Sequence, residues 1–136
     1  MKVLIDTNII LDFLLKREPF FQEAETLFEA ISFQQIIGYV TATTLTDIFY
    51  IANRQTQSLE RATEAVGLVL GVLEVCPVNR TTLELALTSA TQDFEDAVQV
   101  ACAISEGLDA IVTRDTKFSA TSISVLSVSQ IIQHIR

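Results

Sequence analysis

MKVLIDTNIILDFLL, Met1 to Leu15, decides how this chain folds. Lys2-Val3-Leu4-Ile5 is a short run rich in branched apolar residues, as a parallel strand buried on both faces requires. It stops at Asp6. Thr7 and Asn8, both helix-capping types, then lead into an apolar helix expected to reach about residue 17. An acidic residue therefore stands where a first strand gives way to a first helix, at the carboxyl edge where open α/β sheets bind ligands. Taken alone, Asp6 reads first as a helix cap or a charge near a helix N-terminus, and the functional reading depends on the other carboxylates.

Outward from that stretch, the pattern repeats. Pro19 interrupts, and an amphipathic helix is expected over 20–33, with Glu23, Glu25 and Glu29 on its wet side. A strand over 36–40 precedes helices over 44–54 and 58–73, with Thr41 to Thr44 and Ser58 as caps. Pro77 marks 75–78 as a strand at a sheet edge. Helices over 79–90 and 92–106 follow, the second closed by Gly107. Strands over 110–113 and 124–128 and a helix over 129–136 complete the chain. In the first helix, Asp12 and Lys16 are spaced i and i+4, and Asp12 reads as a surface residue. Strands alternating with crossover-length helices argue for a parallel sheet covered on both faces, in one domain spanning residues 1–136.

Composition narrows the chemistry. With 136 residues, 49% of them apolar and 19% charged, the chain has enough for a sizeable core. No apolar run approaches a membrane span, and no secretory signal pattern follows Met1, so a soluble, cytoplasmic protein is expected. Cys76 and Cys102 belong to no metal-binding motif and read as buried thiols. The single histidine, His134, is near the C-terminus, which argues against a zinc site or a Ser-His-Asp triad. The net charge of −8 argues against broad nucleic-acid binding through a basic face.

Four acidic positions end strands or begin helices: Asp6, Asp47, Asp96 and Asp115, with Asp93 one helical turn before Asp96. Asp93 also reads as a cap, with Asp96 as its partner at the third helical position. Hard divalent cations such as Mg²⁺ and Mn²⁺ prefer oxygen ligands. Carboxylates crowded without metal repel and must hold protons more tightly. With one or two ions bound, such a site activates water and stabilises charge on a phosphate, with no histidine needed. There is no GxGxxG or GxxxxGK phosphate loop.

The whole chain resembles a PIN domain, in particular the VapC-type toxins of bacterial toxin–antitoxin pairs. LIDTNIILD, TLTDIFYI, FEDAVQVACA and IVTRDTKF carry the resemblance, in the family's order and spacing. It implies a three-layer α/β/α sandwich around a five-stranded parallel sheet, and a Mg²⁺- or Mn²⁺-dependent endoribonuclease. By the same resemblance Asp6, Asp96 and Asp115 are metal-site residues, with Asp93 a further member and Asn8 and Thr113 supporting the pocket. Asp47 falls where these toxins usually carry Glu, one methylene longer, and reaches metal directly or through water. Arg114, Lys117, Lys16, Arg17 and Arg54 are the basic candidates for contacts to an RNA backbone. The resemblance further implies an antitoxin protein as partner and a homodimer. Two other readings stay open: a catalytically weak PIN-like module that binds RNA or protein, and a phosphotransferase using an aspartyl nucleophile.

Overall fold

The computed structural model describes residues 1–89 and 93–135. Its strands are β1 (Lys2–Ile5), β2 (Ile37–Thr41), β3 (Glu74–Cys76), β4 (Ala110–Val112) and β5 (Ser124–Leu126). They form one parallel sheet in the order β3-β2-β1-β4-β5, so β3 is an edge strand, as Pro77 indicated. The helices are α1 (Thr7–Leu14), α2 (Phe21–Ser32), α3 (Ala42–Thr56), α4 (Leu59–Val72), α5 (Arg80–Leu87), α6 (Phe94–Ser105) and α7 (Val128–His134). Residues 90, 92 and 136, expected in helices, lie outside the described residues.

Side chains alternate across the sheet. Val3, Ile5, Val40, Ala110 and Val112 join the apolar faces of α1, α2, α3, α4 and α7 in one core. Leu4, Ile111 and Cys76 face the other way, against α5 and α6. The three-layer α/β/α architecture expected from the sequence is the one observed. Among the described residues no helix is long and apolar enough to cross a membrane.

The chain runs from β1 outward to β3, then returns to place β4 on the opposite side of β1. The crossovers diverge between β1 and β4, opening the crevice typical of ligand sites in such sheets. Register pairs Ile5 with Val112, which brings Asp6 beside Thr113.

Several helix ends differ from expectation, for local reasons. α1 stops at Leu14 because Lys16 takes a left-handed conformation (φ 51). Its N–H donates to the Phe13 carbonyl, and the Arg17 N–H donates to the Asp12 carbonyl, a Schellman closure. Gln34 (φ 61) closes α2 in the same way, and Gly107 (φ 67) closes α6. Only the last has a sequence signal, since glycine adopts this region freely. α3 starts earlier than expected because Thr41 is its cap.

Asp12 overturns the surface reading. Lys16 lies outside the helix, so the i,i+4 pair never forms, and Asp12 is 1% exposed. Its carboxylate accepts from Arg114 Nε at 2.8 Å and Nη2 at 3.2 Å, with Arg17 at 4.0 Å. The Arg114 guanidinium also lies 3.9 Å over the Phe20 ring. This fork ties α1 to the segment after β4.

Replacing Arg114 by Met leaves a buried carboxylate without its fork, so we expect a loss of about 2–3 kcal/mol in denaturant unfolding. Arg17→Met, at the weaker contact, is expected to cost less than about 0.5 kcal/mol. Burial pushes the Cys76 thiol up to about 12 and that of Cys102 up to about 11. Both thiols are therefore expected to resist a water-soluble disulfide reagent at pH 8 until the protein unfolds, which absorbance of the released thiolate would follow.

Candidate metal pocket at the carboxyl edge

Asp6 is the N-cap of α1 and the centre of a polar cluster, so the two readings of this residue are one structure. Its Oδ1 accepts from the Thr7 N–H at 2.8 Å and from Gln99 Nε2 at 3.0 Å. Its Oδ2 accepts from the Thr113 hydroxyl at 2.7 Å. The Thr113 oxygen in turn accepts from the Asp115 N–H at 3.0 Å, and Asp115 Oδ1 accepts from the Lys117 N–H at 2.9 Å. Thr113 thus couples the two acidic strand ends, at β1 and after β4.

A hydroxyl chain fixes α3 to the same edge. The Thr41 hydroxyl donates to Thr44 Oγ1 at 2.9 Å, and Thr44 and Thr7 hydroxyls meet at 3.1 Å. One turn further along α3 stands half-buried Asp47. From the second core layer, α6 begins with Asp93 as N-cap, accepting from the Asp96 N–H at 3.1 Å.

The electrostatics show which of these groups share a space. Burial pushes the Asp96 carboxyl up to about 6, and the charges of Asp93, Asp6 and Asp115 push in the same direction. Glu95 is raised first by burial, then by the Asp47 charge and by a hydrogen bond that needs one of the two carboxyls protonated; Asp93 and Asp6 add smaller effects. Asp6, Asp93, Asp96 and Asp115 are thus one electrostatic cluster, and Asp47 enters through Glu95. Every charge acting on Asp96 or Glu95 in this way is another carboxylate.

Two participants were missed from the sequence. Glu95 lies inside the FEDA stretch, where it reads as surface acid. Gln99 stands one turn beyond Asp96 and is 1% exposed among Ala97, Val98 and Cys102. A glutamine on an otherwise apolar helix face was the available signal. Its Oε1 is buried without a hydrogen-bond partner among the described residues. Of the other named positions, Asn8 is exposed in the first turn of α1, and Thr7 rather than Asn8 joins the polar network. Lys16, Arg54 and Lys117 are exposed, whereas Arg114 and Arg17 turn to Asp12.

This donor set suits a hard cation: it is all oxygen, largely anionic, and free of histidine and thiol. Among the described residues no three carboxylates stand close enough to grip one ion as they are. Binding would draw them together against a repulsion that the ion itself removes.

A PIN-domain family model matches residues 2–117. Among solved structures, Mycobacterium tuberculosis VapC20, described as a sarcin–ricin-loop-cleaving toxin, is 18% identical with a TM-score of 0.71, covering 89% of this chain and 95% of that one. DNA-bound VapBC from Salmonella typhimurium is 21% identical with a TM-score of 0.69, covering 94% and 98%. A toxin–antitoxin complex from Klebsiella pneumoniae is 20% identical with a TM-score of 0.68, covering 93% and 97%. At these identities the likeness is one of fold. No curated protein matches the sequence significantly.

The raised carboxyls set the sign of a pH effect. Folded Asp96 holds its proton up to about pH 6, against an ordinary 3.8, so the folded state binds protons more tightly than the unfolded. With EDTA present, the melting temperature is therefore expected to fall as pH rises through about 4 to 6. Asp96→Asn should flatten that dependence and raise the melting temperature at pH 7.

Proposed function

The chain belongs to the PIN domain family, and from that premise we propose that it is a metal-dependent endoribonuclease, the toxin of a toxin–antitoxin pair. One observation supports this reading: at the carboxyl edge of the sheet the charges of Asp93, Asp6 and Asp115, borne on α6 and at the ends of β1 and β4, all act on Asp96. A protein that retains such repulsion gains from a bound cation.

Asp6, Asp96 and Asp115 would hold one or two Mg²⁺ or Mn²⁺ ions, with Asp93 beside them. When bound, the ions would supply Lewis acidity, activating water and stabilising charge on a phosphodiester. The chain's own residues do the rest. Three donors fix the Asp6 carboxylate, Thr113 ties it to the Asp115 segment, and burial with the Asp47 charge raises the Glu95 carboxyl beside the pocket. Asp47 sits with Glu95 on the α3 side, as an inner or water-linked member of the site. Asn8 supports the rim.

Of the five basic candidates, exposed Lys16, Arg54 and Lys117 would steer an RNA backbone, with Arg17 and Arg114 contributing from their pairing with Asp12. So few contacts give weak, salt-sensitive binding, so recognition would rest on the shape of a structured loop. The antitoxin partner is supported by a groove of about 430 Å³ lined by Phe13, Phe28, Phe33, Leu68 and Val72, with Glu25 and Glu29 at its rim. It suits an apolar helix bearing basic residues. Homodimerisation is supported by Leu83, Leu87 and Phe94, exposed around α5 and the start of α6. We place the enzyme in the cytoplasm, with its RNA.

A second reading, a binding module with a catalytically weak site, draws on the wide spacing of the carboxylates. Cleavage of a structured-RNA pool with Mg²⁺, Mn²⁺ or EDTA separates the two. Cleavage is expected to need the metal and to fall about a hundredfold in folded Asp96→Asn. Wild-type protein that neither cleaves nor binds metal in calorimetry would leave the binding module as the function.

A further inference from the structure

We infer that Gln99 makes Asp6 a one-oxygen ligand and thereby biases the pocket toward small octahedral cations, Mg²⁺ and Mn²⁺, over Ca²⁺. The inference rests on the metal-dependent reading above and concerns how the pocket selects its ion.

It follows from counting lone pairs on the Asp6 carboxylate. Each oxygen offers two acceptor positions. Oδ1 already accepts from the Thr7 N–H and from Gln99 Nε2, so it is saturated. Among the described residues Oδ2 accepts only from the Thr113 hydroxyl and keeps one position. Asp6 can therefore offer an ion one oxygen, on the side facing Thr113 and the Asp115 segment. Ca²⁺ takes about six to eight oxygens and readily uses both oxygens of a carboxylate, whereas Mg²⁺ takes single oxygens in an octahedron and keeps several waters. Closing Oδ1 removes the two-oxygen grip that would favour the larger ion.

Of the two donors at Oδ1, Thr7 contributes backbone, which any residue would supply at that cap. Gln99 contributes a side chain, so it is the choice the sequence makes. Gln99 is 1% exposed, on a helix where Ala97, Val98 and Cys102 are also buried, and the partner of its amide is a carboxylate and not an apolar neighbour. Among the described residues its Oε1 is buried without a hydrogen-bond partner, while its N–H holds Asp6 Oδ1. Gln99 is thus a positioning residue, acting on the ion through Asp6.

The test is calorimetric titration of the purified protein with Mg²⁺, Mn²⁺ and Ca²⁺, alongside thermal unfolding in EDTA, for wild type, Gln99→Met and Gln99→Asn. Met matches the glutamine in size while removing both the donor and the unpaired oxygen. Asn keeps the amide but is one methylene too short to hold Oδ1. We expect Gln99→Met to unfold earlier than wild type, since Asp6 loses one of its three donors, and its Ca²⁺ affinity relative to Mg²⁺ to rise about tenfold, the scale of an outer-shell partner. Gln99→Asn should shift the ratio in the same direction, and it carries the comparison if the Met variant does not fold. A folded variant with an unchanged ion ratio overturns the role of Gln99 and leaves the metal-dependent reading standing. Wild-type protein that binds none of the three ions overturns both.

Discussion

The structure depends on how one nearly buried anion is held. Asp6 ends the central strand with 8% of its surface exposed, and its carboxylate is satisfied by three hydrogen bonds rather than by a cation. The donors come from the first turn of α1, from α6 and from the residue after β4. Charge-assisted bonds of this kind are stronger than neutral ones, and these three fix elements far apart in sequence. α6 is held by Gln99 with Asp96 one turn away, and Thr113 passes the constraint on to the Asp115 backbone. The same contacts that end the strand therefore assemble the pocket.

The chain contains two solutions to a buried aspartate. Asp12 is neutralised by the Arg114 fork and serves to bind α1 to the far side of the sheet. Asp6 is held by neutral donors, and the crowding of carboxylates around it is visible in the raised Asp96 and Glu95 carboxyls. A carboxylate forked by a guanidinium has its charge compensated, whereas crowded carboxylates repel one another.

Much of this was legible because parallel sheets write themselves plainly. Val3-Leu4-Ile5 and Ala110-Ile111-Val112 are continuous apolar runs, since both faces are covered, and each is followed within three residues by an aspartate. Caps at Thr41, Ser58 and Asp93 followed from their side-chain chemistry. The ends of α1 and α2 did not, because Lys16 and Gln34 occupy left-handed positions that favour glycine and leave no compositional trace. Asp12 was misread for the same reason: its apparent helical partner lay beyond a helix end that the sequence conceals.

The sequence by itself determined the alternation of strands and helices, the parallel sheet covered on both faces and the identity of the acidic residues at strand ends. These follow from local periodicity and from the chemistry of individual side chains. Tertiary structure alone decided which carboxylates act on one another, that Asp12 pairs with Arg114, and that Gln99 donates to Asp6. Those outcomes turn on strand order and on which face of α6 meets β1. Pairing between residues a hundred positions apart is set by the whole packing of the sheet, and no local pattern encodes it.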